Sequence, residues 1–306
     1  MNIIDKNFND LIDKLENLSY DEILENTKEY FSNINPKTQE SIIEFFNKFP
    51  YWGKNIEEHY QLVADSLYYH LEDYKFLYNK LNDYRSKQAL FAILSNWYQC
   101  DFVNLNKIRE TNFKHYFDLD LINAKDEVFI DIGAYTGDTI LEFIDSFGVD
   151  SYKKIYAYEI TDNTINTLKE NTKYLKDVII KQKAVMDKEE QYYIEESKID
   201  ASANLISNAG NKQVNGITLD NDIKEKITMI KMDIEGNEQK AIIGAKKHIL
   251  NDNPKLLISI YHNHEDLYKI PKMIEEITPN TYNYYIRYYG GCIFPTETVL
   301  IAIPKD

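Results

Sequence analysis

The stretch Val128-Phe-Ile-Asp-Ile-Gly-Ala-Tyr-Thr-Gly-Asp138 decides the fold. An apolar run ends at Asp131, glycines follow at 133 and 137, and Ile140, Leu141, Ile144 and Phe147 then take up helical spacing. Such a pattern reads as strand, glycine turn, helix. The glycines permit positive φ and close approach of backbone to a ligand. Thr136 stands where it can cap the helix. The motif is not the dinucleotide fingerprint G-x-G-x-x-G, because its glycines are four apart. Asp131 and Asp138 flank the turn, and two carboxylates repel a pyrophosphate and attract an ammonium group. A ligand with an amino-acid end and a cationic centre fits better. A purely structural turn is the alternative.

Working outward, Ile155-Tyr-Ala-Tyr158 is a second strand ending at Glu159, and Thr161 or Asp162 caps the next helix. Val178–Ile180 starts a third strand, Ile227–Met232 is a fourth ending at Asp233, and Leu256–Ile260 is a fifth. Residues 237–249 are expected to form one helix, with Lys246, Lys247 and His248 in its last turn, where cations suit the dipole. Strands alternating with helices specify a parallel sheet covered on both faces. Tyr282–Tyr289 and Thr298–Ile303 read as antiparallel edge strands. Glu159 lies 22 residues beyond Gly137, where an acid accepts hydrogen bonds from both hydroxyls of a ribose. A surface glutamate is the plainer reading.

Residues 1–119 are expected to be a separate helical region, and residues 120–306 the α/β domain. Phe8, Leu11, Ile12 and Leu15 share one helix face. Pro36 breaks the pattern, Thr38 or Ser41 caps the next helix, and Pro50 ends it. Tyr60, Val63, Leu67, Leu71, Tyr74, Tyr78 and Leu81 then form a long stripe at spacings of three and four. No chemical motif stands out there, so the region is a cap, a substrate wall or a face for homo-oligomers.

The chain has 306 residues, 43% of them hydrophobic and 28% charged, which excludes a disordered tail or a fibre. No apolar run approaches the ~18 residues of a membrane span, and the first ten residues hold acids rather than a signal core. Thirty-five basic residues against 50 acidic give a charge of −15, which disfavours nucleic acid. Cys100 and Cys292 lie 192 positions apart, so a reduced, cytoplasmic protein is expected. Arg85, Arg109 and Arg287 are the only arginines, and any bidentate anion clamp must draw on them.

Residues from about 60 to 303 resemble the FkbM family of S-adenosylmethionine-dependent methyltransferases. The resemblance rests on Phe76-Leu-Tyr-Asn-Lys-Leu-Asn-Asp-Tyr-Arg-Ser86, Phe129–Asp138, Ile155–Glu159, Ile230-Lys-Met-Asp-Ile-Glu-Gly236, Ser259-Ile-Tyr-His262 and Glu265-Asp266. It implies a Rossmann-like methyltransferase sheet, mostly parallel with an antiparallel last strand. It also implies O-methylation of a sugar or sugar nucleotide in glycan biosynthesis. Carried over by position, the cofactor set is Asp131, Gly133, Tyr135, Gly137, Asp138, Glu159, Ile160, Ala184 and Asp233. The acceptor set is Glu235, Tyr261, His264 and Arg287. The family often has histidine after that arginine; here Tyr288 follows.

The residues make their own case for mechanism. In such a sheet Asp131, Asp233 and His262 end neighbouring strands about 4.8 Å apart, at the carboxyl edge where ligands bind. A sugar hydroxyl needs a base within about 3 Å. His262 suits that task, with Asp233 to orient it or hold the acceptor. Asp233, Glu235, His262 and His264 offer a competing Mg²⁺ site, which is not favoured because Asp233 and Glu235 need not converge. Ser197, Ser202, Asn204, Ser207, Asn208, Gly210, Asn211 and Gly216 mark residues 197–216 as a lid or a plain surface loop. Tyr285, Arg287 and Tyr289 share a strand face that grips an anion on the acceptor or, more simply, carries an edge ion pair. The alternative functions are an NAD-dependent oxidoreductase and a non-catalytic binding module.

Overall fold

The computed structural model describes residues 2–48, 52–195, 205, 206, 210 and 212–305. The chain divides into two compact units. One takes residues 1–111, 260–273 and 283–300; the other takes residues 112–259, 274–282 and 301–306.

The first unit is built on helices α1 (Ile3–Glu16), α2 (Tyr20–Ser32), α3 (Pro36–Lys48), α4 (Ile56–Tyr69), α5 (Leu71–Lys80), α6 (Tyr84–Gln99) and α7 (Phe102–Lys107). Capping boxes start the first two, Asn2 with Asp5 and Ser19 with Glu22, each satisfying otherwise orphaned N–H groups. The expected stripe of α1 is buried, and Ile4 joins it. Pro36 breaks the pattern as expected, by opening α3 at the position where a missing N–H costs nothing, while Ser41 Oγ bonds back to Lys37 O instead of capping. Pro50 lies outside the described residues. The long stripe from Tyr60 to Leu81 is two helices, because the chain bends at His70 (φ −122°, ψ 20°). The His70 ring stacks on Tyr268 at 4.2 Å and its Nδ1 lies 2.9 Å from Asp73, contacts that periodicity cannot foresee.

The second unit runs through β1 (Glu127–Ile132), α8 (Asp138–Phe147), β2 (Tyr152–Tyr158), α9 (Asp162–Thr172), β3 (Val178–Lys181), β4 (Ala184–Val185), β5 (Gln191–Glu195), β6 (Leu205–Ile206), β7 (Lys212–Ile217), α10 (Leu219–Asp222), β8 (Met229–Met232), α11 (Glu238–Gly244), α12 (Lys246–Asp252) and β9 (Lys255–Ser259). The chain closes with α13 (Asp266–Ile277), β10 (Tyr282–Tyr288) and β11 (Thr298–Pro304). Among the described residues the main sheet has the order β10-β11-β9-β8-β1-β2-β3. β1 pairs parallel with β2 and with β8, β2 with β3, and β8 with β9. All six residues of β1 are buried, as expected of a central parallel strand. The strand order reverses beside β1, since β2 and β3 lie to one side of it and β8 and β9 to the other. Open α/β sheets hold ligands at the carboxyl ends of the strands at such a switch point.

Two expectations are corrected in this unit. Residues 237–249 form not one helix but α11 and the start of α12, with the break at Ala245. Lys246, Lys247 and His248 therefore begin a helix, against the dipole. Asp220 compensates by accepting the Lys247 and His248 N–H groups at 3.0–3.2 Å. The stretch 197–216 is also not simply a loop. Its described end, Lys212–Gly216, is strand in a small second sheet of order β4-β7-β5-β6. Gly216 is needed there because a Cβ would stand 2.2 Å from the Tyr192 ring. Gly210 faces the Ile194 backbone in the same way, and the other singled-out residues lie outside the described ones.

Candidate functional site

The glycine turn is shaped by its neighbours within the second unit. Gly133, Tyr135 and Gly137 have φ of +80°, +44° and +85°. A Cβ on Gly133 would stand 1.9 Å from Asp233 O, and one on Gly137 would stand 2.8 Å from Leu168 Cδ1. Both glycines thus allow close backbone or helix packing at the ends of β1, β8 and α9. Gly137 itself is the N-cap of α8, and no side chain caps that helix, so Thr136 does not perform the expected task. Asp138 is exposed in the first turn.

Asp131 is 0% exposed. Its strand register sets it opposite Lys231 of β8, and Lys231 Nζ lies 3.1 Å from Asp131 Oδ1 and donates to Gly133 O at 2.7 Å. The other carboxylate oxygen, Oδ2, meets no hydrogen-bond donor among the described residues. Burial pushes the Asp131 carboxyl up to about 6, and Lys231 offsets part of that. Burial lowers the Lys231 pKa, but Asp131, Asp233 and Asp138 outweigh it, and the ammonium stays protonated. Asp131 therefore sits beneath the turn and ties it to β8.

Glu159 is buried rather than on the surface, at 8% exposure. Its carboxylate accepts the N–H groups of Tyr135 (3.0 Å), Ile160 (2.7 Å) and Thr161 (2.8 Å). It thereby joins the glycine turn to the end of β2. Ile160 packs against the small core of Ala184, Met186, Ile194 and Val214. The structure thus brings Asp131, Gly133, Tyr135, Glu159, Ile160, Ala184 and Asp233 to one edge of the unit.

Asp233 is half-buried just past β8, its N–H bonded to Ile132 O. Met232 pairs with Ile258, so Asp233 and Ser259 follow neighbouring strand positions. The Tyr116 hydroxyl bridges the two, 2.6 Å from Asp233 Oδ2 and 3.1 Å from Ser259 Oγ. Glu235 is half-buried with φ +55°, and Gly236 follows at +89°. Glu238, fully buried, accepts the Ile234 N–H at 2.8 Å and locks this turn.

Four of the candidates belong to the first unit. His262 is fully buried, with its ring 4.2 Å from that of the half-buried Tyr261. His264 is buried beside Trp97 and Trp52, and burial pushes its imidazole down to about 3, so it is neutral. Arg287 is 3% exposed. It donates to Asp83 at 2.6 Å, Ser86 Oγ at 3.0 Å and Ile286 O at 2.9 Å. Of the two readings of that arginine, the ion pair is the one built into the structure.

Lys231, Tyr116, Ser259 and Glu238 were missed from the sequence. Lys231 carried a signal, a lone cation inside an apolar strand. Tyr116 carried none, because it precedes β1 in a stretch assigned to the helical region.

An open sheet with a switch point beside β1 and acids at the ends of its central strands defines a methyltransferase-type fold. The family described as "Methyltransferase FkbM domain" matches residues 131–284, half of the chain. The protein belongs to the FkbM methyltransferase family. Among solved structures it is similar to a methyltransferase FkbM from Methylobacillus flagellatus KT, with TM-score 0.63 and 22% identity over 78% of this chain. The chain spans 62% of that protein, and at this identity the likeness speaks to fold. A weaker likeness is to an rRNA methylase from Streptococcus thermophilus, with TM-score 0.40 and 12% identity over 60% of this chain and 90% of that one. No curated protein matches. Among the described residues no helix is long and apolar enough to cross a membrane.

Proposed function

We propose that the protein transfers a methyl group from S-adenosylmethionine to a hydroxyl of a sugar or sugar nucleotide. The observation that carries this reading is the charge at the β1–β8 edge. Asp131 pairs with the buried Lys231 at 3.1 Å, Asp138 stands in the first turn of α8, and Asp233 follows β8 at the end of β1. That edge has an excess of negative charge, which suits a cofactor bearing an ammonium and a sulfonium and opposes a pyrophosphate. When bound, S-adenosylmethionine supplies an electrophilic methyl on a cationic sulfur.

The chain's residues would supply the rest. Glu159 and the glycine turn hold the cofactor's ribose and amino-acid ends. A sugar hydroxyl is a weak nucleophile at neutral pH, so its proton must pass to a protein base. Asp233, half-buried just past β8, is the residue of this unit we assign to that task.

Calorimetry with S-adenosylmethionine, S-adenosylhomocysteine and NAD tests the cofactor. Mass spectrometry of sugars and sugar nucleotides after incubation then tests the acceptor. Binding of the two adenosyl ligands but not NAD, with a gain of one methylene on a sugar, is expected. NAD binding without S-adenosylhomocysteine binding would overturn the reading in favour of an oxidoreductase. Binding of the adenosyl ligands without transfer to any sugar would overturn the acceptor class.

A further inference from the structure

Tyr116 lies between α7 and β1, is 2% exposed, and has φ +69°. A ring-bearing residue in the left-handed region is strained and persists only where its surroundings hold it. Those surroundings are specific. His115 stacks on the ring at 4.0 Å with the planes 12° apart. The Lys231 ammonium stands 5.4 Å from the ring centre on the same side chain. The hydroxyl reaches Asp233 at 2.6 Å and Ser259 at 3.1 Å.

The direction of these bonds follows from the donor inventory. An ionised carboxylate only accepts, so the single phenolic proton points to Asp233 Oδ2. Ser259 must then donate to Tyr116. The result is a chain from Ser259 Oγ–H to Tyr116 Oη–H to Asp233, and each bond polarises the next. The ammonium over the ring makes the phenol a stronger donor. Other charged or titratable groups of this unit that face the cluster include Asp131, Asp138, the buried Glu238 carboxylate within 4.8 Å of that of Asp233, and His115, whose imidazole burial pushes down to about 4 against the pull of Asp233.

We propose that Tyr116 is a positioning residue of the transfer site, holding the Asp233 carboxylate ionised and in one orientation at the carboxyl edge of β8. The role of Asp233 toward the acceptor rests on the function proposed above; the hold of Tyr116 on Asp233 does not.

Tyr116→Phe keeps the ring, its stack and its cation contact, and removes the hydroxyl. The readout is carbon-13 NMR of protein labelled at the aspartate carboxyls, with the Asp233 signal assigned by its loss in Asp233→Asn. In Tyr116→Phe the titration midpoint of Asp233 should rise by about one pH unit, the tenfold weaker acid left when a charge-assisted hydrogen bond is removed. Ser259→Ala, which cuts the chain one link earlier, should move it in the same direction by less. Calorimetric binding of S-adenosylhomocysteine should persist in both variants. An Asp233 midpoint unmoved in both would overturn the proposal. Should Tyr116→Phe fail to fold, Ser259→Ala decides by itself. If the wild-type protein binds no S-adenosylhomocysteine, the methyltransfer reading fails, yet the Asp233 titration still decides the role of Tyr116.

Discussion

At Glu159 one carboxylate accepts three backbone N–H groups from the glycine turn and the start of α9. Glu159→Ala would leave those buried donors unmet, at about 1–3 kcal/mol each. The variant should lose several degrees of Tm and bind S-adenosylhomocysteine at least about tenfold more weakly. Wild-type affinity in a folded Glu159→Ala protein would take Glu159 out of the cofactor site. Asp222 offers a pH-dependent case. Burial alone would raise its pKa, but Lys181, Lys183 and the Tyr158 hydroxyl outweigh that and hold it at about 2, against 3.8 ordinarily. An acid with a depressed folded pKa adds stability that is complete above its unfolded value and vanishes as pH falls through the folded one. The advantage of wild type over Asp222→Asn should be about 2 kcal/mol at neutral pH. It should close between pH 3.8 and about 2. Urea midpoints across that range check it, and a gap that stays constant to pH 2 would show that the ion pairs do not act this way.

Among the elements, α12 shows how a local rule is overridden. Two lysines and a histidine in a first turn oppose the helix dipole, and sequence logic therefore assigned them to a last turn. The carboxylate of Asp220, in α10, makes the start of α12 tolerable by bonding to two of its free N–H groups. Asp220→Ala should cost about 1 kcal/mol, the usual worth of a capping carboxylate. Thermal unfolding measures it, and an unchanged Tm would mean that water serves those N–H groups equally well. The strands were more legible. β1, β3, β8 and β9 lie within a residue or two of the apolar runs that foretold them, and β2 begins three residues earlier than expected. β1 and β8 are buried throughout, and such central parallel strands read as near-continuous apolar runs. β5 to β7 were not foreseen, since a small sheet with one polar face gives no such run; the burial of β7 alternates through exposed positions.

On the scale of the whole molecule, the helical unit is completed by late segments of the chain. Asp83, the N-cap of α6, and Ser86 in its first turn hold Arg287 and the Ile286 backbone, and the Asn82 side chain accepts from Tyr284 N–H. A fragment of residues 112–306 would strip Arg287 of its partners and expose Tyr284, Ile286 and Tyr288, all buried in the full chain. It should aggregate or elute as large species on size exclusion. A soluble monomeric fragment that binds S-adenosylhomocysteine like the full chain would show the helices to be dispensable.

By itself the sequence determined the sheet, its switch point and the acids at Asp131, Glu159 and Asp233, because apolar runs, glycines and strand-end acids are local signals. The tertiary structure alone decided what those acids touch. Asp131 became a buried partner of Lys231, and Arg287 was spent on Asp83. Tyr116 reached Asp233 across 117 residues of sequence. Long-range pairing of polar side chains leaves no periodic trace along a chain, since each partner reads locally as an ordinary polar residue. Its cost and its reward appear only when both are buried together.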